Sequence, residues 1–288
     1  MAFPIVSVIT AVYRDFSGLE ATIASIAMQK YRNIDYLICD DGSENFSCES
    51  IEALTKQYAV SCRILHSAKN QGTVRNLNGA IVQSRGKYIF FLSAGDTFDD
   101  PSALGDWVEF MEHTHTVSSL ALRRVVDDPA DSKGSVLPEK WQQHAMERGT
   151  PAQLFRLLSL GNFVSGSATA YDAAFLRTHP FDERFRLLED YPKTLSLLSQ
   201  GIPVRLFPRV CIRHLSGGIS ANTRLHPQLV ADHVLLAHTL LSVPPAYRFA
   251  ADYLCCALGE GQFPPAKRLY LKTARRLAAA MQLHRYQN

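Results

Sequence analysis

The chain has 288 residues, of which 47% are hydrophobic, 20% charged and 10% aromatic. That composition excludes a disordered or collagen-like chain and suits one large α/β domain with an appended segment, or two domains. A formal net charge of +3 gives no case for a nucleic-acid binder.

The charge is nevertheless uneven. Beyond Glu260 there is no acidic residue, whereas Lys267, Arg268, Lys272, Arg275, Arg276 and Arg285 are all cationic, an asymmetry that points to an anionic partner. The cysteines, Cys39, Cys48, Cys62, Cys211, Cys255 and Cys256, form no C-x-x-C pair and no regular framework, as expected of reduced thiols. Met1 to Thr10 lacks the basic and apolar regions of a signal peptide. No uncharged apolar run approaches the ~18 residues of a spanning helix. A cytoplasmic protein, or one peripheral on the cytoplasmic face of an inner membrane, is expected.

In chain order, Ile5 to Ile9 is a short β-branched run expected of a strand buried on both faces. Ser17 and Glu20 fit a capping box for a helix with Leu19, Ile23, Ile26 and Ala27 on one face. Asp35 to Asp40 predicts a second strand ending in the turn Asp40-Asp41-Gly42-Ser43. A helix over Ile51 to Tyr58 and a strand over Ser61 to Leu65 follow. After Asn70-Gln71-Gly72, the residues Val74, Leu77, Ala80 and Ile81 mark a third helix, and Lys87 to Leu92 is a fourth strand running into Ser93-Ala94-Gly95-Asp96. This alternation predicts an α/β fold with a mostly parallel central sheet flanked by helices and functional loops at its carboxyl edge. Residues 116–150, interrupted by Asp127, Asp128, Pro129, Asp131 and Gly134, read as a variable connector. Pro192, Leu195, Leu198 and Gly201 then define a helix with Asp190 at or beside its N-cap. The chain beyond Leu225 is mostly helical, broken by Pro244-Pro245 and Pro264-Pro265, and Ala266 to Leu283 reads as a basic amphipathic helix able to lie on an anionic membrane surface or to pack on the body. The expected division is a first α/β half over 1–115, a second half of the same domain over 116–225 and a helical extension over 226–288.

Three clusters stand at the predicted upper edge: Asp40 with Asp41, Asn70 to Arg75, and Asp96. Oxygen-rich loops facing a helix N-terminus suit a nucleotide diphosphate and a hard divalent cation. Taken singly, each admits a plainer reading: Asp-Gly-Ser is turn chemistry, Asp96 can open a loop or cap a helix, Arg75 can be a solvated helix residue, and Glu189 and Asp190 can be acids favoured at a helix start. His214, before Ser216 and two glycines, can belong to a lid or to an ordinary loop. No G-x-S-x-G elbow or P-loop is present.

The succession ITAVYRD, ICDDGS, NQGTVRN, YIFFLSAGD, FDERFRLLEDYPKTLSLLSQG and RHLSGGIS, in this order over roughly residues 3–220, resembles the family 2 glycosyltransferases, inverting enzymes of the GT-A (Rossmann-like) fold that use nucleotide-sugar donors. The resemblance implies that Thr10, Ala11 and Tyr13 occupy the loop after the first strand and line the nucleoside pocket, with Asp40 or Asp41 at the base and ribose. It implies that Asn70, Gly72 and Arg75 match an N-x-G-x-x-R-N segment closing over the same nucleotide, that Asp96 is the last acid of the metal motif, and that Asp190 of the Glu189-Asp190 pair is the general base. Ser93 and Gly95 stand where many relatives have aspartates, so Asp96 is left as the protein carboxylate for Mn or Mg. Arg14 stands where relatives often have Asn. Ser93, Glu189 and His214 complete the implied nucleotide-sugar site. The implied activity is metal-dependent transfer of a sugar, from a UDP-sugar by preference, to a glycan or lipid-linked glycan acceptor in surface-polysaccharide synthesis. Two alternatives are a sugar-nucleotide-binding protein that has lost catalysis and a sugar-nucleotide pyrophosphorylase, whose Gly-rich phosphate loop is absent after Ile9.

Overall fold

The computed structural model describes residues 3–128, 130–159, 161–216, 226–241, 252 and 264–274. Strands β1 (Val6–Val12), β2 (Ile34–Asp40), β3 (Cys62–His66) and β4 (Tyr88–Phe91) form a parallel group in the order β3-β2-β1-β4. Helices α1 (Leu19–Ala27), α2 (Cys48–Gln57) and α3 (Thr73–Gln83) connect them. Val6, Val8, Ile9, Leu37, Ile38 and Ile89 are fully buried, as apolar runs in a parallel sheet require.

The same sheet continues through β5 (Thr97–Phe98), β6 (Ser118–Val126), β8 (Thr169–Asp172) and β9 (Arg205–Leu215), in the order β4-β8-β6-β9-β5, with β7 (Ser135–Leu137) paired to β6. Here β6 runs parallel to β9, whereas β4–β8, β6–β8, β5–β9 and β6–β7 are antiparallel, so parallel pairing dominates only the first half. Residues 1–115 and 116–225 therefore contribute strands to one sheet. Helices α4 (Ala103–Thr114), α5 (Lys140–Arg148), α6 (Pro151–Leu158), α7 (Ala173–Thr178), α8 (Asp190–Ser199) and α9 (Pro227–Leu241) complete the described elements, with a further helical stretch over 265–274.

Three sequence expectations need correction. β1 extends to Val12, paired with Asp40, so Thr10 and Ala11 are strand residues and not part of a loop; the parallel ladder with β2 continues through them to its last pair. No Ser17–Glu20 capping box forms, because the Ser17 hydroxyl donates to Asp15 (2.7 Å), Glu20 accepts from the Tyr58 hydroxyl (2.8 Å), and Gly18 takes the N-cap position. The region read as a connector holds β6, a central strand whose SSLALRRVV sequence puts polar and cationic residues among its buried positions and so interrupts its apolar run.

The antiparallel pairing of β4 with β8 positions the site. Phe90 lies opposite Ala170, so the 3₁₀ turn Gly166–Ala168 that enters β8 sits beside the loop leaving β4, and Ser93 N donates to Ser167 Oγ (3.3 Å).

Candidate active site at the carboxyl edge of the sheet

At the end of β2, Asp40 and Asp41 are 0% and 3% exposed. Asp40 accepts from Gly42 N (3.0 Å), Ser43 N (2.9 Å) and the Ser43 hydroxyl, and faces His66 Nδ1 at 2.8 Å. A carboxylate has about four acceptor sites, so Asp40 is saturated by its own turn and neighbours. Asp41 reaches across instead, accepting from Asn70 Nδ2 (2.9 Å), Gln71 N (2.7 Å) and Gly72 N (2.8 Å). It retains one acceptor site. The N-terminus of α3, which follows the segment expected to close over the nucleotide, thus already faces the Asp41 carboxylate and the Arg186 carbonyl, which accepts from Val74 N (3.2 Å). Gly72 must be glycine: its φ is +94°, and a Cβ there would lie 2.4 Å from Arg186 Cγ.

The remaining predicted residues divide between the cleft and its rim. Thr10 is fully buried and its hydroxyl accepts from Tyr36 (3.2 Å), so its side chain does not line a pocket. Ala11 is half-buried and Tyr13 is 39% exposed, under the Arg14 guanidinium. Arg14 has φ 61° and donates its N–H to Ser43 Oγ (2.7 Å), locking this loop to the Asp40 turn. Arg75 is exposed and pairs with Glu183 at 3.3 Å.

Asp96, 2% exposed, accepts from the Ser167 hydroxyl and from Leu215 N (3.1 Å). Ser93 Oγ lies 3.1 Å from the same Ser167 hydroxyl. His214 Nδ1 lies 3.0 Å from Asp96 Oδ1, yet this buried nitrogen makes no hydrogen bond. An imidazole nitrogen facing a carboxylate oxygen at this distance without a well-directed hydrogen bond is a donor set that suits a divalent cation such as Mn or Mg. No cluster of three or more His, Cys, Asp or Glu side chains exists among the described residues, so substrate oxygens and water would have to fill the remaining positions.

Glu189 caps α8 and Asp190 is its first residue. Asp190 accepts from Tyr191 N (2.6 Å) and from Gly166 N. A Cβ on Gly166 would lie 2.7 Å from Glu189 Oε1. The turn thus touches both acids: Gly166 donates to Asp190 and the next residue, Ser167, donates to Asp96. Asp96 and Asp190 therefore meet at one turn.

Arg123 of β6, which sequence reasoning missed, is 9% exposed; its Nη1 donates to the Phe163 carbonyl (3.2 Å) and its buried Nε has no partner. Its charge acts on both Asp190 and Asp96. A double Arg in an otherwise apolar segment was the available signal. Burial raises both carboxyls of the 189–190 pair. Glu189 is pushed up to about 8 by desolvation and by the negative charges of Asp190 and Asp232, whereas on Asp190 three backbone N–H groups, of Tyr191, Gly166 and Asp190 itself, and Arg123 oppose the rise. Within the pair, Glu189 therefore holds its proton to the higher pH, and Asp190 is the acid with groups beside it that favour its anion.

The profile described as Glycosyl transferase family 2 matches residues 7–179. The putative glycosyltransferase EpsE of Bacillus subtilis is 27% identical over 201 residues, covering 69% of this chain and 68% of EpsE. The Escherichia coli protein WfaP, a UDP-Glc:alpha-D-GlcNAc-diphosphoundecaprenol beta-1,3-glucosyltransferase, is 31% identical over 108 residues, 38% of this chain and 41% of WfaP. Among solved structures, S. aureus TarS 1–349 in complex with UDP-GlcNAc matches with a TM-score of 0.61 at 17% identity, over 88% of this chain and 71% of that one. The mannosyltransferase PcManGT from Pyrobaculum calidifontis, in complex with GDP-Man and Mn2+, matches with a TM-score of 0.58 at 15% identity, over 98% and 72% of the two chains. These likenesses identify the fold as GT-A; Asp190 and His214 lie beyond the profile's match.

The raised Glu189 pKa has a stability consequence. Between the ordinary value of 4.5 and about 8 the folded chain holds a proton that the unfolded chain releases, so this group lowers stability as pH rises through that window. Glu189→Gln should remove that slope. In urea melts at pH 5 and pH 8.5, the variant is expected to gain relative to the wild-type protein at the higher pH, and an equal difference at both would contradict the assignment.

Proposed function

Since the chain belongs to glycosyl transferase family 2, we propose that it is an inverting transferase that moves a sugar from a nucleotide-sugar, by preference a UDP-sugar, to a hydroxyl of a glycan or lipid-linked glycan during surface-polysaccharide synthesis. The observation that carries this reading is the Gly166–Ser167 turn, which joins the Asp190 and Asp96 carboxylates. UDP-GlcNAc on the fold relative TarS and the diphosphoundecaprenol-linked acceptor in WfaP's name support the donor and acceptor classes.

In this reading Asp190 takes the proton of the acceptor hydroxyl as its oxygen attacks the anomeric carbon, and the nucleoside diphosphate leaves from the opposite face with inversion. Arg123 favours the anion on Asp190 against the rise that burial causes, and Glu189 beside it, pushed up to about 8, can donate a hydrogen bond to a sugar or acceptor oxygen. Asp41 holds the 70–72 loop in the form that meets the nucleotide and offers its one spare acceptor site. Asp96 and His214 would hold Mn or Mg together with diphosphate oxygens. Bound there, the cation would neutralise charge developing on the leaving group.

The described part of the C-terminal extension supports a peripheral membrane partner. Leu269 and Tyr270 are 68% and 62% exposed beside Lys267, Arg268 and Lys272, while Leu271 is buried. Arg275, Arg276 and Arg285, counted in the sequence as part of the basic tail, lie outside the described residues, as do Cys255, Cys256, Pro244-Pro245 and the glycines after His214. No helix among the described residues is long and apolar enough to cross a membrane.

Asp190→Asn is expected to lower turnover of a UDP-sugar by about 10²- to 10⁴-fold while leaving UDP binding intact, read by UDP release and calorimetry. Near-normal turnover in the variant would overturn the base assignment, and UDP binding without donor consumption in the wild-type protein would favour a binding protein that has lost catalysis. Mn2+ titrated by electron paramagnetic resonance should bind weakly to the free protein and more tightly once UDP is added; a tight site without nucleotide would contradict a two-residue protein donor set. Flotation with phosphatidylglycerol vesicles should be lost on deleting residues 264–288, and flotation unchanged by the deletion would argue against the membrane role.

A further inference from the structure

Asp232 is 1% exposed on α9, outside the segment matched by the family profile, and has no role above beyond its charge on Glu189. Its carboxylate accepts from three successive backbone N–H groups, Arg186 N (3.0 Å), Leu187 N (2.6 Å) and Leu188 N (3.1 Å), and from Gln228 Nε2 (3.0 Å) one helical turn away. Successive N–H groups converging on one carboxylate require a specific local backbone, and these three immediately precede Glu189 and Asp190. The other side of the segment is tied to the 70–72 loop: the Arg186 carbonyl accepts from Val74 N (3.2 Å), and the Arg186 guanidinium donates to the backbone carbonyl (3.4 Å) and side-chain oxygen of Asn70. Residues 186–188 are therefore a strap held between the 70–72 loop and α9, with the acid pair at its end.

We propose that Asp232 is a positioning residue for Asp190: by gathering the Arg186, Leu187 and Leu188 N–H groups it sets where the Glu189-Asp190 pair enters the cleft relative to the 70–72 loop. The proposal rests on the transferase reading for its effect on turnover, but not for the hold on the strap. Asn at 232 is nearly isosteric but uncharged: with its oxygen in the Oδ2 position its NH₂ group meets Gln228 Nε2 and the longer Arg186 N contact, so the three strap bonds lose the charge that strengthens them and the carboxylate's second anchor is broken.

The test combines two readouts on Asp232→Asn in the full chain. In hydrogen–deuterium exchange, amides 186–188 should lose about tenfold or more protection while those of β1, β2 and β4 do not change. In UDP release from UDP-glucose, UDP-GlcNAc or UDP-galactose with Mn2+, kcat should fall about tenfold to a hundredfold, with the Kd for UDP in Mn2+ within about threefold of wild type. Unchanged exchange at 186–188, or unchanged kcat with released amides, would overturn the proposal, as would parallel loss of UDP binding and kcat, which is what general unfolding predicts. If the variant does not fold, Gln228→Ala withdraws only the amide orienting the Asp232 carboxylate, and should lower kcat about threefold with UDP binding intact; no change in kcat would count against the idea. A wild-type protein that consumes none of these donors fails the transferase reading, while the exchange measurement still decides whether Asp232 holds the strap.

Discussion

A carboxylate withdrawn from water needs hydrogen-bond donors, and along the carboxyl edge of this sheet those donors are chiefly backbone N–H groups of neighbouring segments. Asp40 closes its own turn, Asp41 holds residues 70–72, Asp96 holds Leu215 at the end of β9, Asp190 takes Gly166, and Asp232 gathers residues 186–188. Each bond joins a strand end or helix to a loop that local sequence alone would leave free. The loops of the cleft are thereby ordered by buried negative charge, which makes charge and geometry inseparable in this region. Removing any one of these acids leaves N–H groups unpaired as well as a charge missing.

The concentration of acids creates a second requirement, a division of protonation states. Two adjacent carboxyls in a desolvated cleft cannot both ionise cheaply. Arg123 and the donors of Gly166 and Tyr191 favour the anion on Asp190, while the charges acting on Glu189 are negative. A central strand bearing a buried guanidinium costs stability, which is offset here because the same group faces both Asp190 and Asp96. The cation in β6 therefore serves the two halves of the cleft at once.

The change of strand direction at β4–β8 does for geometry what Arg123 does for charge. A wholly parallel sheet would send the entry to β8 to the opposite edge from the loop leaving β4. Antiparallel pairing instead brings residues 166–167 beside residues 93–96, so that two neighbouring residues contact acids far apart in sequence. Helix α9 adds a brace behind the acid pair, with Tyr191 and His233 rings 6.5 Å apart and Leu236 and Leu240 buried.

Local sequence determined the parallel half of this protein, because strands buried on both faces are continuous apolar runs and the helices between them carry a regular apolar face. The ordered motifs were likewise legible, from the Asp40-Asp41 turn through Asn70 to Arg75, Asp96 and the Glu189-Asp190 pair, since turn and helix-start chemistry depends on near neighbours. β6 was not, because its paired arginines, one of them buried, hide a strand whose partners lie far along the chain. Nor could the sequence distinguish the saturated Asp40 from the bridging Asp41, see that Thr10 points into the core, or find Arg123 and Asp232. Those depend on which donors and charges the tertiary fold brings within hydrogen-bond or Coulomb range, and such distances are set by strand direction and packing, not by spacing along the chain.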